Sequence, residues 1–159
     1  MSAQLDFVPN LRALHAADLD AVLAIEARCY DFPWTRGNFI DSLAAGYLAL
    51  ALVVRGGALA GYLMAMRGVG EMHLLNLTVA PEWQGRGLAS QLLGALEQTC
   101  RDEVLPLIWL EVRSSNQRAR AIYRRRGFHE VGQRRGYYPA ALGQREDAVV
   151  MRAALEPLP

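Results

Sequence analysis

The chain has 159 residues, a net charge of +1 and a hydrophobic fraction of 52%, a composition typical of one folded globular domain and not of a disordered chain. All 17 basic residues are arginine, which excludes a lysine Schiff base, a pyridoxal phosphate anchor and a P-loop lysine. The near-neutral charge gives no sign of a polyelectrolyte partner, so we predict no specific nucleic acid.

The first half of the chain predicts two helices and then strands. Apolar residues at helical spacing favour a helix over 18–29 with Asp18 as its cap. Thr35 is placed to cap a shorter helix that ends near Leu43. Three strands follow, over 47–55, 58–66 and 71–79, and the turn at Gly56 and Gly57 joins the first two.

The second half predicts helices that alternate with strands. A loop over 80–87 leads into a helix over 88–103, whose apolar side chains are Leu88, Leu92, Leu93 and Leu96. A helix over 116–126 ends at Gly127, the residue type that favours a left-handed C-cap. The remaining strands are predicted over 106–112, 128–138 and 147–153. Hairpins together with strand–helix–strand units predict a mixed α+β sheet with helices on both faces.

A glycine-rich loop connects the strand over 71–79 to the helix over 88–103. Gly85 and Gly87 let backbone N–H groups approach an anion closely, and the helix start adds partial positive charge. The third glycine position of the dinucleotide fingerprint falls on Ser90, and the P-loop lysine is absent. The loop is therefore either a pyrophosphate cradle or only a tight strand-to-helix turn.

Three polar residues of the second half are candidates for chemistry. Glu111 follows the apolar run 107–110, so its carboxylate is expected near apolar surface. Asn116 and Tyr123 are nearly two helical turns apart and share a helix face. Structural alternatives are a simple N-cap for Asn116 and a core aromatic for Tyr123. Glu71, at the start of the strand that enters the loop, competes with Glu111 as a candidate base.

These residues together resemble a known family. The segment 84–89 (QGRGLA) resembles the acyl-CoA motif of the GCN5-related N-acetyltransferases (GNAT), and 111–128 resembles the downstream motif of that family. The segments FPW at 32–34, LEVR at 110–113, RRGYYP at 134–139 and REDA at 145–148 resemble those members that acetylate the N-terminal alanine of a ribosomal protein. The likeness covers about 11–153 of a single domain that we assign to 1–159. Gly136 departs from it, because a larger polar residue is expected there.

The resemblance implies a GNAT-type fold, in which two parallel strands splay apart within a mixed, largely antiparallel sheet and acetyl-CoA enters. The backbone of Leu77, Thr78 and Val79 would bind the acetyl and pantetheine groups, and Asn116 would contact the pantetheine side. The pyrophosphate would lie on Gly85, Arg86, Gly87, Leu88, Ala89 and Ser90. Glu111 would be the general base and Tyr123 the general acid, with no covalent acyl-enzyme and no metal.

The acceptor is predicted to be the N-terminal amine of a ribosomal protein. Phe32 and Trp34 are expected to form one wall of a peptide groove, and Tyr137 and Tyr138 the other. Acidic contacts for a basic peptide are expected from Glu26, Asp31 and Asp41. Two alternatives remain: a lysine or small-amine acetyltransferase, and a non-catalytic acyl-CoA-binding module.

Two further patterns bear on partners and location. The segment 113–135 carries eight arginines against one acid, Glu130, and is either a patch for phosphates or ribosomal RNA, or the solvated face of a helix, which is favoured. The start of the chain, 1–10, lacks the pattern of a signal peptide, and the longest apolar run, 48–54, is too short for a bilayer span. We therefore predict a cytoplasmic protein that is not associated with membranes.

Overall fold

A computed structural model describes residues 9–156 of the chain. Most of the segment 1–10, in which no signal peptide is predicted, and the last three residues of the domain assigned to 1–159 lie outside this range. The described chain forms two compact units. The first comprises the chain up to Ala65 together with Asn76–Leu92, and the second comprises Met66–Leu75 together with the chain from Leu93 onwards.

The first unit begins with a short strand that the sequence analysis missed. Its elements in chain order are β1 (Asn10–Ala13), α1 (Leu19–Cys29), α2 (Arg36–Ala44), β2 (Leu48–Val53) and the first part of β3 (Leu59–Gly68). Strand β2 pairs antiparallel with β1 on one side and with β3 on the other. With only four residues, β1 is too short to show the alternation that identifies a strand in sequence.

The remaining elements extend through or lie within the second unit. They are β4 (Glu71–Val79), α3 (Leu88–Asp102), β5 (Leu107–Arg113), α4 (Gln117–Arg125), β6 (His129–Pro139) and β7 (Arg145–Ala154). Strands β3 and β4 and helix α3 each pass from one unit into the other. Strand β5 pairs antiparallel with β7, and β7 pairs antiparallel with β6.

The sheet confirms the predicted fold class. Its seven strands follow the order β1-β2-β3-β4-β5-β7-β6, and β4 and β5 form the one parallel pair among the registers of the described strands. That register joins Glu71–Leu74 to Leu107–Leu110 and ends there, before the carboxyl halves of both strands. A parallel pair that is bonded over only half its length agrees with the predicted splay.

Capping explains where α2 begins and where α4 ends. The Thr35 hydroxyl accepts a hydrogen bond from the Asn38 N–H at 3.1 Å, which confirms the predicted cap of α2. Gly127 follows α4 with φ +91°, as a left-handed C-cap requires. The predicted cap of α1 is wrong, because the Asp18 carboxylate instead accepts from the His15 N–H at 2.8 Å and from the Arg12 guanidinium.

Apolar side chains hold each unit together by burial. The helix face predicted for α3 is confirmed, since Leu88, Leu92, Leu93 and Leu96 are all buried. Strand β4 alternates between buried and half-buried positions along its whole length, which places one set of its side chains in the core. Within the described residues, no helix has the length and apolar character to cross a bilayer.

Candidate functional site

The glycine-rich loop of the first unit is open to solvent. Gly85 and Gly87 both have φ +77°, a conformation that side chains rarely adopt. A Cβ atom added at either position would meet nothing within 4 Å. Leu88, which begins α3, is buried and anchors the helix start, while Gly85, Arg86 and Gly87 are exposed. The helix N-terminus is thus held in place with glycine backbone in front of it.

This donor set fits the pyrophosphate of acetyl-CoA. The first turn of a helix presents backbone N–H groups that have no intrahelical partner, and its partial positive charge favours an anion. The Arg86 guanidinium lies 4.9 Å from the centre of the Trp83 ring and adds a cation beside the loop. Among the exposed residues of the loop, only Glu82 carries a negative charge that would repel an anion. Its carboxylate is paired with Arg28.

The end of β4 offers both buried hydroxyl groups and backbone carbonyls. The Val79 carbonyl accepts from the Gln84 side-chain amide at 3.0 Å, and the Leu77 carbonyl accepts from the Tyr30 hydroxyl at 3.3 Å. The Thr78 hydroxyl is buried and donates to the Asn76 side chain at 2.7 Å. Each carbonyl oxygen has two lone pairs and can accept a second hydrogen bond. The contacts of Leu77, Thr78 and Val79 with acetyl-CoA stay a prediction.

Glu26 is not a surface contact for a peptide. Its side chain is buried and accepts from the Tyr62 hydroxyl at 2.9 Å, from the Asn76 amide at 2.7 Å and from the Trp34 backbone N–H at 3.1 Å. The expectation that Glu26 offers an exposed acidic contact is therefore wrong. Helical spacing alone could not show that this side chain turns towards the core, where three donors satisfy its charge.

The two aromatic residues of the first predicted groove wall differ in environment. Phe32 is 47% exposed, which suits a surface that contacts a peptide. Trp34 is half-buried and packs on Phe39, with 5.1 Å between the ring centres. Its backbone is held by Glu26. The loop between α1 and α2 is thus anchored at Trp34 and exposed at Phe32.

In the second unit, the register of β4 and β5 brings three side chains into one row. His73 is the register partner of Trp109, and their rings stack at 3.6 Å between centres with 10° between planes. Glu111 lies two positions beyond Trp109 and therefore on the same face of β5. Its Oε1 atom is 3.2 Å from His73 Nε2. No role for His73 was predicted from the sequence, so this contact was missed.

Glu111 is a buried carboxylate that faces a cation on one side. Its side chain is 7% exposed, and its Oε2 atom lies 2.9 Å from Arg134 Nε. That contact is an ion pair without hydrogen-bond geometry, so Oε2 has no hydrogen-bond partner among the described residues. A buried carboxylate oxygen without a hydrogen bond is energetically costly, and in a folded protein it points to a functional role.

The neighbouring titratable groups respond to burial and to Glu111. Burial lowers the pKa of His73, while the Glu111 carboxylate opposes that shift. Burial raises the pKa of the Tyr137 hydroxyl, and the interaction of that hydroxyl with Glu111 raises it further. Burial also raises the pKa of Tyr138. Around Glu111 the imidazole and both phenols are therefore held in their neutral forms at neutral pH.

An irregular stretch of β6 presents Arg134 and the two tyrosines. The register with β7 shifts between Arg134 and Tyr138, and Gly136 within the shift has φ +55°. Tyr137 and Tyr138 contact each other edge-to-face at 4.9 Å between ring centres. The Arg113 guanidinium lies 4.6 Å from the centre of the Tyr138 ring. Tyr137 and Tyr138 are thus placed as one cluster, and their predicted contact with a peptide stays a prediction.

Helix α4 carries the other predicted site residues. The Asn116 side chain accepts from the Ala119 N–H at 3.2 Å, so Asn116 is the N-cap of α4. Tyr123 is buried and packs on Phe128 at 5.7 Å between ring centres. Both structural alternatives are therefore observed. The predicted roles of Asn116 towards acetyl-CoA and of Tyr123 as an acid remain predictions.

The arginine-rich segment is largely neutralised by acids of the second unit. Glu130 pairs with Arg120 and Arg124 at 2.6 and 2.5 Å. Further partners come from outside the segment: Glu146 for Arg113, Glu97 for Arg126 and Glu111 for Arg134. Because only Glu130 lies within the segment itself, counting charges along the sequence overstated the basic character. The pairing favours the interpretation as a solvated helix face.

Comparisons with known proteins agree with this geometry. The sequence profile of the Acetyltransferase (GNAT) family matches residues 19–128. The "[Ribosomal protein bS18]-alanine N-acetyltransferase" of Escherichia coli (strain K12) is 36% identical over 142 residues, 89% of this chain and 95% of the relative. Its counterpart in Salmonella typhimurium is 38% identical over the same shares of both chains. The crystal structure of the Escherichia coli ribosomal-protein-S18-alanine N-acetyltransferase superposes with a TM-score of 0.87 at 34% identity, covering 96% of this chain and 97% of that one.

Proposed function

Because the chain belongs to the GNAT family of acetyltransferases, we propose that it transfers the acetyl group of acetyl-CoA to the N-terminal alanine of ribosomal protein bS18. Relatives with that named activity share 36–38% of their residues with this chain over nearly their whole length.

The observation that carries the proposal is the state of Glu111. An α-ammonium group has a pKa near 7.7–8.0 and must lose a proton before it can attack a thioester. The Oε2 atom of Glu111 is buried, carries negative charge and has no hydrogen-bond partner in the described chain. It therefore supplies the acceptor that this proton needs, directly or through a water molecule.

The other residues are assigned by the same chemistry. Acetyl-CoA, when bound, supplies the acetyl thioester. The loop over Gly85–Ser90 is assigned to its pyrophosphate, and the backbone of Leu77, Thr78 and Val79 to its acetyl and pantetheine groups. Asn116 is assigned to the pantetheine side. The Tyr123 hydroxyl would deliver a proton to the departing sulfur, and the backbone near Val79 would polarise the thioester carbonyl.

Four aromatic residues are assigned to the acceptor peptide. Phe32 and Tyr137 are 47% and 44% exposed, although both rings are large and apolar for the most part. Tyr138 contacts Tyr137 edge-to-face, and Trp34 packs on Phe39. Rigid aromatic side chains on two loops suit a peptide better than a small polar amine.

Acetylation of synthetic peptides tests the acceptor. A peptide with a free N-terminal alanine should be acetylated orders of magnitude faster than free alanine, because it alone can use the aromatic residues. The same peptide with a blocked α-amine and an internal lysine should not react. Equal rates for peptide and free alanine would favour a small-amine enzyme, and reaction of the blocked peptide would favour a lysine enzyme.

The cellular substrate is tested by mass spectrometry of ribosomal proteins from cells with and without the gene. We expect loss of one acetyl group from the N-terminus of bS18, and we place this activity in the cytoplasm, where ribosomal proteins are made. A chain that binds acetyl-CoA but acetylates neither peptide nor ribosomal protein would instead be a non-catalytic acyl-CoA-binding module.

A further inference from the structure

His73 is held in a fixed orientation by the sheet. It lies on β4 directly beside Trp109 on β5, and the two rings are almost parallel at 3.6 Å between centres. Its Nε2 atom points to Glu111 Oε1 at 3.2 Å. The side chain is 14% exposed, so the imidazole has restricted rotation and yet retains contact with solvent.

The two oxygens of Glu111 have different surroundings. Oε1 faces His73, while Oε2 faces Arg134 across an ion pair that lacks hydrogen-bond geometry. The charged groups that act on His73 come from three strands: Glu71 from β4 itself, Glu111 from β5 and Arg134 from β6. Trp109 covers one ring face and contributes no titratable group.

We propose that His73 is the positioning residue of the acetyl-transfer reaction: its Nε2–H donates to Glu111 Oε1 and thereby orients Oε2 towards the acceptor amine. This inference rests on the proposed function, because it assumes that Glu111 Oε2 accepts the proton of the acceptor amine. The role follows from the stacking of His73 on Trp109, the contact of its Nε2 with Glu111 Oε1 and the different surroundings of the two Glu111 oxygens.

The proton balance of the role is simple. The ammonium of the substrate gives a proton to Glu111, which leaves a neutral amine and a carboxylic acid. The acid then gives the proton to water, which restores the carboxylate, while the imidazole keeps its own proton on Nε2. Burial lowers the pKa of His73, which keeps the imidazole neutral at neutral pH during this cycle.

Two variants test the orienting role. His73→Leu removes the hydrogen bond to a charged group, and we expect kcat on an alanine peptide to fall roughly ten- to a hundredfold with unchanged KM for acetyl-CoA. His73→Gln keeps a donor for Glu111 but does not titrate, so its loss should be smaller. His129→Gln, at an exposed position on β6, is the matched control and should behave as wild type.

The decisive readout is the pH dependence of kcat/KM. Below the pKa of His73, the imidazolium of the wild type pairs with Glu111 and competes with the substrate ammonium. The ratio of wild-type to His73→Gln activity should therefore rise with pH and become constant once His73 is neutral. A merely structural role would give a ratio that does not change with pH, and that result would overturn the proposal.

An NMR titration tests the coupling without any assay of acetyl transfer. The ring signal of His73, assigned by its loss in His73→Gln, should titrate below the ordinary histidine value of about 6.5. In Glu111→Gln the midpoint should fall further, because the carboxylate that supports the imidazolium is gone. An unchanged midpoint would refute the link between His73 and Glu111 while leaving the proposed acetyltransferase activity intact. Absence of peptide acetylation by the wild type would instead remove the proposed function.

Discussion

The side-chain carboxylate of Asp147 on β7 accepts a hydrogen bond from the backbone N–H of Gly136 on β6, at a distance of 2.9 Å. Arg145, two residues earlier on β7, binds the same stretch and donates to the Gly136 and Tyr137 carbonyls at 2.7 and 2.9 Å. These bonds hold the irregular part of β6 between Arg134 and Tyr138. The orientation of Arg134 and Tyr137 towards Glu111 thus depends on Asp147.

Replacing Asp147 should weaken the acceptor side of the reaction. Asp147→Ala removes a charge-assisted hydrogen bond, and kcat/KM for an alanine peptide should fall roughly tenfold. Asp147→Asn keeps an acceptor oxygen and should retain most of the activity. The affinity for acetyl-CoA, measured by calorimetry, should stay unchanged in both variants. An equal loss in both would mean that the charge of Asp147, and not its hydrogen bond, is what matters.

The glycine-rich loop predicts how acetyl-CoA changes the melting temperature of the protein. Acetyl-CoA should raise the melting temperature of the wild type, since a ligand of the folded state stabilises it by mass action. Gly87→Glu puts a side chain and a negative charge in front of α3 and should abolish this shift. Gly57→Glu is the matched control, because Gly57 also has a positive φ, +87° against +77°, and open space around it. Both variants carry similar backbone strain of about 1–2 kcal/mol, but only Gly87→Glu should lose the response. A full shift in Gly87→Glu would place the phosphate site elsewhere.

Glu111→Gln tests the proposed base. The amide keeps the size of the side chain but cannot take a proton, so the rate should fall by roughly 10²–10⁴-fold at neutral pH. The loss should shrink as pH rises above the pKa of the substrate amine, because the amine then arrives deprotonated. Glu71→Gln, on the neighbouring strand, is the control and should keep near wild-type rates. The reverse pattern in the two pH–rate profiles would make Glu71 the base.

Tyr123→Phe tests the proposed acid. The variant should fold normally, because phenylalanine keeps the packing on Phe128. Its rate should fall less than that of Glu111→Gln, since a thiolate leaves in part without a proton. High pH should not rescue the loss, because the missing group is a donor. A wild-type rate in this variant would assign Tyr123 to packing alone.

The ion pair between Arg12 and Asp18 predicts a pH-dependent contribution to stability. The Arg12 hydrogen bond is the main cause that lowers the pKa of Asp18 from 3.8 to about 2. A lowered carboxyl pKa stabilises the fold above the unfolded value and loses that effect as pH falls towards 2. Asp18→Asn should therefore cost about 1–2 kcal/mol at pH 7, visible as a melting temperature lower by a few degrees.

The difference between wild type and Asp18→Asn should vanish between about pH 4 and pH 2, where Asp18 of the folded protein becomes neutral. Asp20→Asn is the control. Asp20 is 90% exposed and pairs with Arg36 at the surface, so its loss should change the stability by less than about 0.5 kcal/mol. A difference for Asp18→Asn that persists at pH 2 would point to packing and not to charge.

Local patterns in the sequence determined the elements and the two motif regions of this protein. The observed bounds of β4 are those predicted, and the strand begins after a turn at Gly70. Gly85, Gly87 and Gly127 have the positive φ values that their positions required. Thr35 and Asn116 cap their helices through bonds three residues long, which short-range spacing is able to predict.

The surroundings of Glu111 were decided only by the tertiary structure. His73 reaches Glu111 because β4 and β5 pair in one particular register, and a slip of one residue would turn His73 to the opposite face. Arg134 comes from β6, which is separated from β5 in the sheet by β7. Glu26 of helix α1 was expected at the surface, yet it is buried against Tyr62 on β3 and Asn76 on β4. Side-chain periodicity specifies which residues share a face within one element, whereas the alignment of one element with another depends on packing and pairing over the whole sheet.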